Sequence, residues 1–201
     1  MFQLYSSEDV YAETLAHIRD DNPELSGGQI TAIRAQLQEI ANEIKEYDCR
    51  KAKETFIGAD TGDLHVHAAT VQGQCEYLLT NDRKLYNQLS EDQLETLPYE
   101  VCSADEFFCL AAEASAVILD KALTSQLRYW SVKMNNPPRQ YDLLERASCP
   151  MFALLVKRAT MRKIGMTPEQ IDRQMPLGSN FSGEMQSSSV RYLAQISENQ
   201  R

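Results

Sequence analysis

Apolar residues along this chain recur with two different spacings, and together these spacings predict a mixture of helices and short strands. Near the N-terminus the interval is three or four, which is typical of amphipathic helices, one over about Asp9–Asp20 and one running from Ser26 towards Ile44. Shorter apolar runs are typical of strands, and they lie at 2–5, 55–58, 76–80 and 99–102. Strands that alternate with helices in this way indicate an α/β fold with a parallel sheet.

The stretch from Asp60 to Asp82 carries the clearest chemical signal in the sequence. Asp60 or Thr61 is placed to cap a helix, and Asp63 lies in the first turn of that helix. The strand that follows delivers Asn81 and Asp82 at its carboxyl end, which is where open α/β sheets bind their ligands. We therefore expect the acids of this stretch to gather at one edge of the sheet.

The second half of the chain is predicted to be helical. A capping box formed by Ser103 and Glu106 marks the start of a long helix, whose apolar core spacing continues towards Trp130. Paired prolines at 137 and 138 end that helix. Beyond them we expect three shorter helices, which lie at 141–145, at 150–163 and from 167 onwards.

These elements predict three regions along the chain. They are a main domain over 1–119, a helical extension over 120–175 and a flexible tail over 176–201 that is rich in Gly, Ser and Asn. No apolar run approaches the roughly 20 residues needed to cross a bilayer, and the N-terminus lacks the pattern of a signal peptide. We therefore expect a cytoplasmic protein without a membrane partner. The five cysteines form no C-x-x-C pair, so we expect buried free thiols.

Charge is distributed very unevenly within the formal total of -9. Residues 1–120 carry 8 basic and 23 acidic side chains, whereas residues 121–168 carry 9 basic and 2 acidic ones. The basic segment either contacts the phosphates of a nucleic acid or docks against the acidic domain before it. Within it, Tyr129 and Trp130 beside Arg128 suit base stacking, although packing between helices is the simpler interpretation.

Three segments, in this order and spacing, resemble the second half of bacterial PIN domains, the nucleases of toxin–antitoxin systems and their relatives. These segments are Asp60–Thr70, Glu76–Asp82 and Val101–Phe107. The opening Phe2–Leu15 is similar to the second strand and following helix of that family, and 136–152 is similar to a helical tail of some members. The resemblance covers roughly residues 1–160. It implies a three-layer α/β/α domain with a parallel sheet and a helical C-terminal extension.

The resemblance also implies an activity, which is hydrolysis of RNA phosphodiester bonds at a carboxylate-held Mg²⁺ or Mn²⁺ ion. It gives catalytic roles to Glu13, Asp63 and Asp82, and adds Asp60 to these three as a metal ligand. It places substrate contacts at Thr80, Asn81 and Arg83. The implied partners are RNA and an antitoxin protein, and relatives of this kind also suggest a homodimer.

The chain departs from the family pattern at its start. The family begins with a hydrophobic strand that ends in an aspartate, whereas this sequence opens on the segment that is similar to the second strand. The first strand, the helix after it and the first catalytic aspartate are therefore missing from the sequence. Three interpretations stay open: a coding sequence that begins further upstream, a degraded remnant, or a catalytically inactive remnant that binds RNA or protein.

Each candidate side chain also has a purely structural interpretation. Asp60, Asp63 and Asp82 are all placed to cap helices, and Glu13 beside the buried stripe of the first helix faces either a cleft or solvent. His65 and His67 form an H-x-H pair, but residues two apart on a helix do not face each other. We expect His67 to line the face of Asp63, and His65 to be structural.

Overall fold

The structure is a computed structural model that describes residues 2–82, 89–134 and 139–175. In this part of the chain most residues are helical, and four strands of three residues each accompany the helices. The strands are β1 (Tyr5–Ser7), β2 (Asn42–Ile44), β3 (Tyr77–Leu79) and β4 (Glu100–Cys102). The first five helices are α1 (Glu8–Asp21), α2 (Gly27–Ile40), α3 (Cys49–Ala52), α4 (Leu64–Gln72) and α5 (Glu91–Leu94). The last five are α6 (Ala104–Ala114), α7 (Ala116–Lys133), α8 (Gln140–Arg146), α9 (Pro150–Lys163) and α10 (Pro168–Gln174).

The chain divides into two compact units, each with its own internal packing. The first unit comprises Met1–Leu78 and Asp82–Val101, and the second comprises Leu79–Asn81 and Cys102–Arg201, insofar as these ranges are described. The α6 helix, which the sequence places in the main domain, packs against α9 in the second unit. The tail from 176 onwards and the prolines at 137 and 138 lie outside the described residues.

Parallel strand pairs confirm the predicted α/β fold at a coarse level. β1 pairs with β2 in parallel, with Tyr5 opposite Asn42. β3 and β4 form a second pair, in which the Glu100 N–H donates to the Glu76 carbonyl at 2.9 Å. Among the described residues these two pairs are separate sheets rather than one continuous sheet.

Capping by serine connects β1 directly to α1. Ser7 ends the strand, and its hydroxyl accepts a hydrogen bond from the Val10 N–H at 3.4 Å, which satisfies one of the free donors at the helix start. Tyr11 is the buried residue of α1, and its hydroxyl donates to the Ala41 carbonyl at 3.2 Å. This bond ties α1 to the chain just before β2. The first unit is therefore organised around the β1–α1 junction.

The structure corrects the predicted end of the second helix and two predicted strands. The predicted second helix ends at Ile40 and Ile44 belongs to β2, while residues 55–58 contain no strand. Ala41 already has an extended backbone, and the Asn42 N–H donates to the Leu4 carbonyl at 2.9 Å. Ile44 fits the helical spacing by coincidence, and pairing with β1 decides its conformation. Similarly, the first strand covers Tyr5–Ser7 rather than residues 2–5.

The predicted long helix after Ser103 is also two helices instead of one. Ser115 lies between α6 and α7 with φ −158° and ψ 97°, which is outside the helical region. Its N–H donates to the Ala111 carbonyl at 3.3 Å, and its hydroxyl accepts from the Ile118 N–H at 3.4 Å. The serine side chain therefore replaces a backbone acceptor and starts a new helix. The spacing of apolar residues does not reveal such a break, because the same helical spacing continues on both sides of Ser115.

Asp105 organises the second unit. Its side chain is 8% exposed, and its two carboxylate oxygens accept hydrogen bonds from the Met151 and Phe152 N–H groups at 3.0 and 2.7 Å. These donors belong to the first turn of α9, where a negative charge also interacts favourably with the helix dipole. Two turns further along α9, Arg158 pairs with Asp172 and donates to the Met175 carbonyl at 2.5 Å. The two contacts fix α9 against α6 and α10.

The expectation of buried free thiols is confirmed for three of the five cysteines. All five thiols are free, with Cys102, Cys109 and Cys149 buried and the other two partly exposed. Burial, together with the nearby Asp105 carboxylate, raises the pKa of Cys109 to about 12, so this thiol is protonated at neutral pH. None of the described helices has both the length and the apolar character needed to span a membrane.

We expect Asp105→Ala to lower the free energy of unfolding by about 2 to 4 kcal/mol, because two buried N–H donors of α9 lose their acceptor. Urea unfolding monitored by circular dichroism measures this change. Glu113→Ala, which removes an exposed acid of the same helix, serves as the control and should shift the midpoint little. Equal midpoints for the two variants would contradict a capping role for Asp105.

Candidate functional site

Asp63 is positioned by a single 3₁₀ turn, Thr61–Asp63, that precedes α4. Asp60 caps this turn, since its carboxylate accepts a hydrogen bond from the Gly62 N–H at 2.8 Å. The Asp63 N–H donates to the Asp60 carbonyl at 3.2 Å and closes the turn. The capping role foreseen for Asp60 is therefore confirmed. Asp63 stands at the N-cap of α4 but its side chain makes no capping hydrogen bond, so its carboxylate is available for another partner.

Negative charges surround the Asp63 carboxylate. Burial raises the pKa of Asp63, and the neighbouring charges of Asp60, Asp82 and Glu13 raise it further, while His65 acts in the opposite direction. All of these residues belong to the first unit. The structure therefore brings Glu13, Asp60 and Asp82 within electrostatic reach of Asp63. A group of like charges around a partly buried carboxylate is stabilised by a proton or by a cation.

His65 lies beside this acidic group with one ring nitrogen uncommitted. Its Nδ1 is 2.8 Å from the Gly62 carbonyl, which only accepts hydrogen bonds, so Nδ1 carries the proton. Nε2 is buried without a hydrogen-bond partner, 3.5 Å from the Glu13 carboxylate. In the neutral ring this places a nitrogen lone pair against a carboxylate oxygen. Protonation of Nε2 or a cation between the two atoms relieves that repulsion.

His67 occupies the core instead of the acidic side of α4. It is completely buried, its Nδ1 lies 2.6 Å from the Tyr99 hydroxyl, and its Nε2 lies 3.0 Å from the Thr55 hydroxyl. The Thr55 hydroxyl in turn donates to the Ala52 carbonyl at 3.2 Å, so Nε2 donates to Thr55 and Nδ1 accepts from Tyr99. The ring is therefore a neutral structural link, and burial lowers its pKa.

The expectation that His67 lines the face of Asp63 was wrong, since it is His65 that lies beside the acids. Asp63 belongs to the 3₁₀ turn, and α4 begins only at Leu64. The change from the tighter to the wider helix alters the direction of every later side chain. His65, in the first turn of α4, faces back towards the Gly62 carbonyl and the acids. The Thr61-Gly62 pair was the sequence signal for this turn, since glycine there allows close approach to Asp60.

The residues predicted to contact substrate have structural roles as far as they are described. The Thr80 N–H donates to the Cys102 carbonyl at 3.0 Å, which continues the β3–β4 ladder. The Asn81 side-chain oxygen accepts from the Ala104 N–H at 3.3 Å, and so links the end of β3 to the start of α6. Arg83 lies outside the described residues. Substrate binding by Thr80, Asn81 and Arg83 stays a prediction.

The acids do not form a closed ligand shell as they stand. Across residues 2–82, 89–134 and 139–175, no three His, Cys, Asp or Glu side chains converge closely enough to hold a metal ion. The chemistry of the donors nevertheless suits a hard divalent cation, because carboxylate oxygens predominate. Glu13, Asp60 and Asp82 are exposed.

Comparisons of this chain with protein-family models, with curated proteins and with solved structures find no match. The similarity to PIN domains therefore rests on the residues quoted from the sequence. What the structure adds is independent of it: an α/β unit with parallel strand pairs, and four acids and a histidine grouped around one short turn.

We expect Asp63→Asn to stabilise the protein at pH 7 by less than about 1 kcal/mol, because the raised pKa means that the folded state disfavours the charged carboxylate. The gain should vanish as the pH falls through the pKa of Asp63, where the wild-type carboxyl is already neutral. Thermal unfolding at pH 7 and at pH 3 measures both effects. Glu24→Gln removes an exposed acid elsewhere in the unit and should leave the melting temperature unchanged.

His67 should make stability depend on pH in the opposite sense to a salt-bridged histidine. Its pKa is lower in the folded state than the usual value of about 6.5, so the unfolded chain takes up the proton first. Stability from the neutral ring is complete above about pH 6.5 and is lost as the pH falls below it. Urea midpoints measured between pH 5 and 8 should show this loss, and His67→Gln should reduce it. The exposed His17→Gln variant should retain the wild-type slope.

Proposed function

We propose that this chain is a metal-dependent endoribonuclease of the PIN-like class, with a three-layer α/β/α domain and a helical C-terminal extension. The observation that carries the proposal is the Asp63 carboxylate, which is partly buried among the charges of Asp60, Asp82 and Glu13 and makes no capping bond. Such an arrangement of like charges costs stability. Clustered like charges of this kind are typical of sites that bind a charged ligand.

Glu13, Asp60, Asp63 and Asp82 would hold Mg²⁺ or Mn²⁺, which suits oxygen donors. When bound, the ion supplies polarisation of a phosphate oxygen and orientation of a water molecule for in-line attack. Asp63 is the central ligand because the closed 3₁₀ turn fixes its backbone. One carboxylate oxygen of Asp60 accepts a hydrogen bond from the Gly62 N–H, so the other oxygen would be the metal ligand.

His65 has a role in this proposal that the sequence did not indicate. With the proton of Nδ1 donated to the Gly62 carbonyl, Nε2 is the basic atom of the ring and faces the acidic group. It accepts a proton from an attacking water molecule or a ribose hydroxyl, and the resulting imidazolium pairs with Glu13, whose oxygen lies 3.5 Å away. The histidine thus couples proton removal to a favourable charge interaction.

A second candidate function is a catalytically inactive protein that binds RNA or another protein through the same acidic group. It is favoured by the lack of three converging metal ligands in the described part of the chain. An antitoxin partner and a homodimer belong to the nuclease proposal and rest on the family resemblance alone.

Mn²⁺ titration by calorimetry distinguishes these functions. We expect the wild-type chain to bind Mn²⁺, and Asp63→Asn with Asp82→Asn to weaken binding at least tenfold, because two ligands lose their charge. Asp20→Asn with Asp21→Asn removes the same number of charges from the end of α1 and should leave binding unchanged. Equal weakening in both double variants would show that only the overall charge matters, and would contradict a defined site.

Cleavage of a fluorescent single-stranded RNA in Mn²⁺ then tests the chemistry. Nuclease activity that disappears in the Asp63→Asn, Asp82→Asn variant and falls about a hundredfold in His65→Gln supports the proposed roles. Metal binding without cleavage favours the inactive binding protein. Cleavage that survives in the double variant would show that another part of the protein, or a contaminant, is responsible.

A further inference from the structure

The α7 helix has apolar residues both on its buried side and among its exposed residues. On its inner side Leu123 is 3% exposed, and it packs within the second unit together with the partly buried Leu119 and Trp130. Along another side of the helix, five exposed residues lie at intervals of four, three, four and three. These residues, which we name the outer stripe, are Ile118, Ala122, Ser125, Tyr129 and Val132.

Three of the five residues of the outer stripe are large and exposed, namely Ile118, Tyr129 and Val132. Ile118 is 61% exposed and Val132 is 87% exposed, and neither is covered by any other part of the described chain. A repeat of four and three residues is the spacing by which one helix packs along another in a coiled coil. The stripe therefore has the geometry of a helix-binding surface rather than that of a random set of exposed side chains.

Basic side chains border the outer stripe on both sides. Lys121 and Arg128 flank one edge, and Lys133 flanks the other. The acid of this helix, Asp120, points elsewhere, because it pairs with Lys163 of α9 at 2.6 Å. The charge next to the stripe is therefore positive along the length of α7.

This charge pattern disfavours a second copy of the same helix as the occupant. In a parallel pair Arg128 would face Lys133 of the other copy, and in an antiparallel pair Lys121 would face Arg128. Like charges at these positions repel, whereas acidic side chains would be attracted at both edges. A complementary partner thus carries apolar residues at the same spacing with Glu or Asp beside them.

The aromatic residue of the stripe argues for a protein partner over RNA. The Lys133 ammonium lies 4.4 Å from the centre of the Tyr129 ring and donates to its hydroxyl at 2.5 Å, so one face of the ring is occupied by a cation. The other large residues of the stripe are aliphatic and offer no stacking surface for bases. Together with the spacing, this leads to one inference. We propose that the outer stripe of α7 binds an acidic amphipathic helix of another protein.

The proposal can be tested with a designed peptide and the full chain. The peptide is 21 residues long, has Leu at positions spaced four and three, Glu at the flanking positions, and no Trp. Trp130 is the single tryptophan of the chain and lies edge-to-face with Tyr129 at 5.2 Å, so its fluorescence reports binding at the stripe. We expect saturable binding, and at least tenfold weaker binding by a peptide with Lys in place of Glu.

Variants of the chain test the apolar residues of the stripe and the basic residues beside it separately. Val132→Asp should weaken binding of the Glu peptide at least tenfold by placing a charge in the apolar stripe. Lys121→Glu with Arg128→Glu should weaken it as much and should restore binding of the Lys peptide, which a misfolded variant would not do. Arg139→Glu with Arg146→Glu makes the same change of charge at the two ends of α8, outside α7, and should leave binding unchanged.

Three results would overturn the proposal. Equal binding of the Glu and Lys peptides would remove the role of charge, and full binding by Val132→Asp would remove the role of the stripe. Sedimentation velocity that shows a wild-type dimer, dissociated by Val132→Asp, together with no peptide binding, would make a second copy the occupant. An RNA oligonucleotide that binds through Lys121 and Arg128, where no peptide binds, would make the surface a nucleic-acid contact.

Discussion

The hydrogen bond from the Gly62 N–H to the Asp60 carboxylate determines the arrangement of the whole candidate site. It closes the turn that brings Asp63 to the start of α4, and that turn presents the Gly62 carbonyl to His65. Every helix start leaves N–H groups without partners, and side chains that satisfy them set where the next element points. Here Asp60 has two roles. Its carboxylate caps the turn that shapes the backbone, and it is also one of the acids of the candidate site.

The short helix α4 separates two kinds of environment. Its first turn carries His65 beside the acids, while His67, fully buried two residues later, joins the core around Tyr99. Leu78, Leu97 and Tyr99 form that core, and the parallel β3–β4 pair supplies its strands. Charge repulsion on one side of α4 is therefore opposed by packing and a satisfied hydrogen-bond chain on the other. Sites that lose stability to charge need this kind of compensation nearby.

Much of the fold was predictable because its signals are local. The starts of α1, α2 and α6 follow from Ser7, Ser26 and Ser103, whose hydroxyls cap the helices they precede. The strand β2 was not predictable, because Ile44 fits both spacings and its pairing partner Ser7 is distant in sequence. In the sequence Ser115 resembles an ordinary helix residue. Only the structure shows that its side chain replaces a backbone acceptor.

The candidate site was predictable as a set of residues but not as a geometry. The positions of the acids around Asp63 came from the pattern and from the family resemblance, and the structure brings them into one electrostatic group. The direction of His65 depends on where the 3₁₀ turn ends and α4 begins, which is a difference of one residue. Sequence spacing cannot resolve boundaries at that level, and the boundary decided which histidine meets the acids.

The packing at the end of α4 limits how this protein can tolerate insertions. Gly73 ends the helix with its α-carbon so close to Ile44 that an added β-carbon would lie 2.5 Å from the Ile44 side chain. The helix is therefore held at both ends, by the capped turn before it and by β2 after it. One inserted residue would rotate the two histidines by roughly 100° relative to one of these anchors. An insertion within the nine residues of α4 would therefore disturb one of the two contacts that hold its ends.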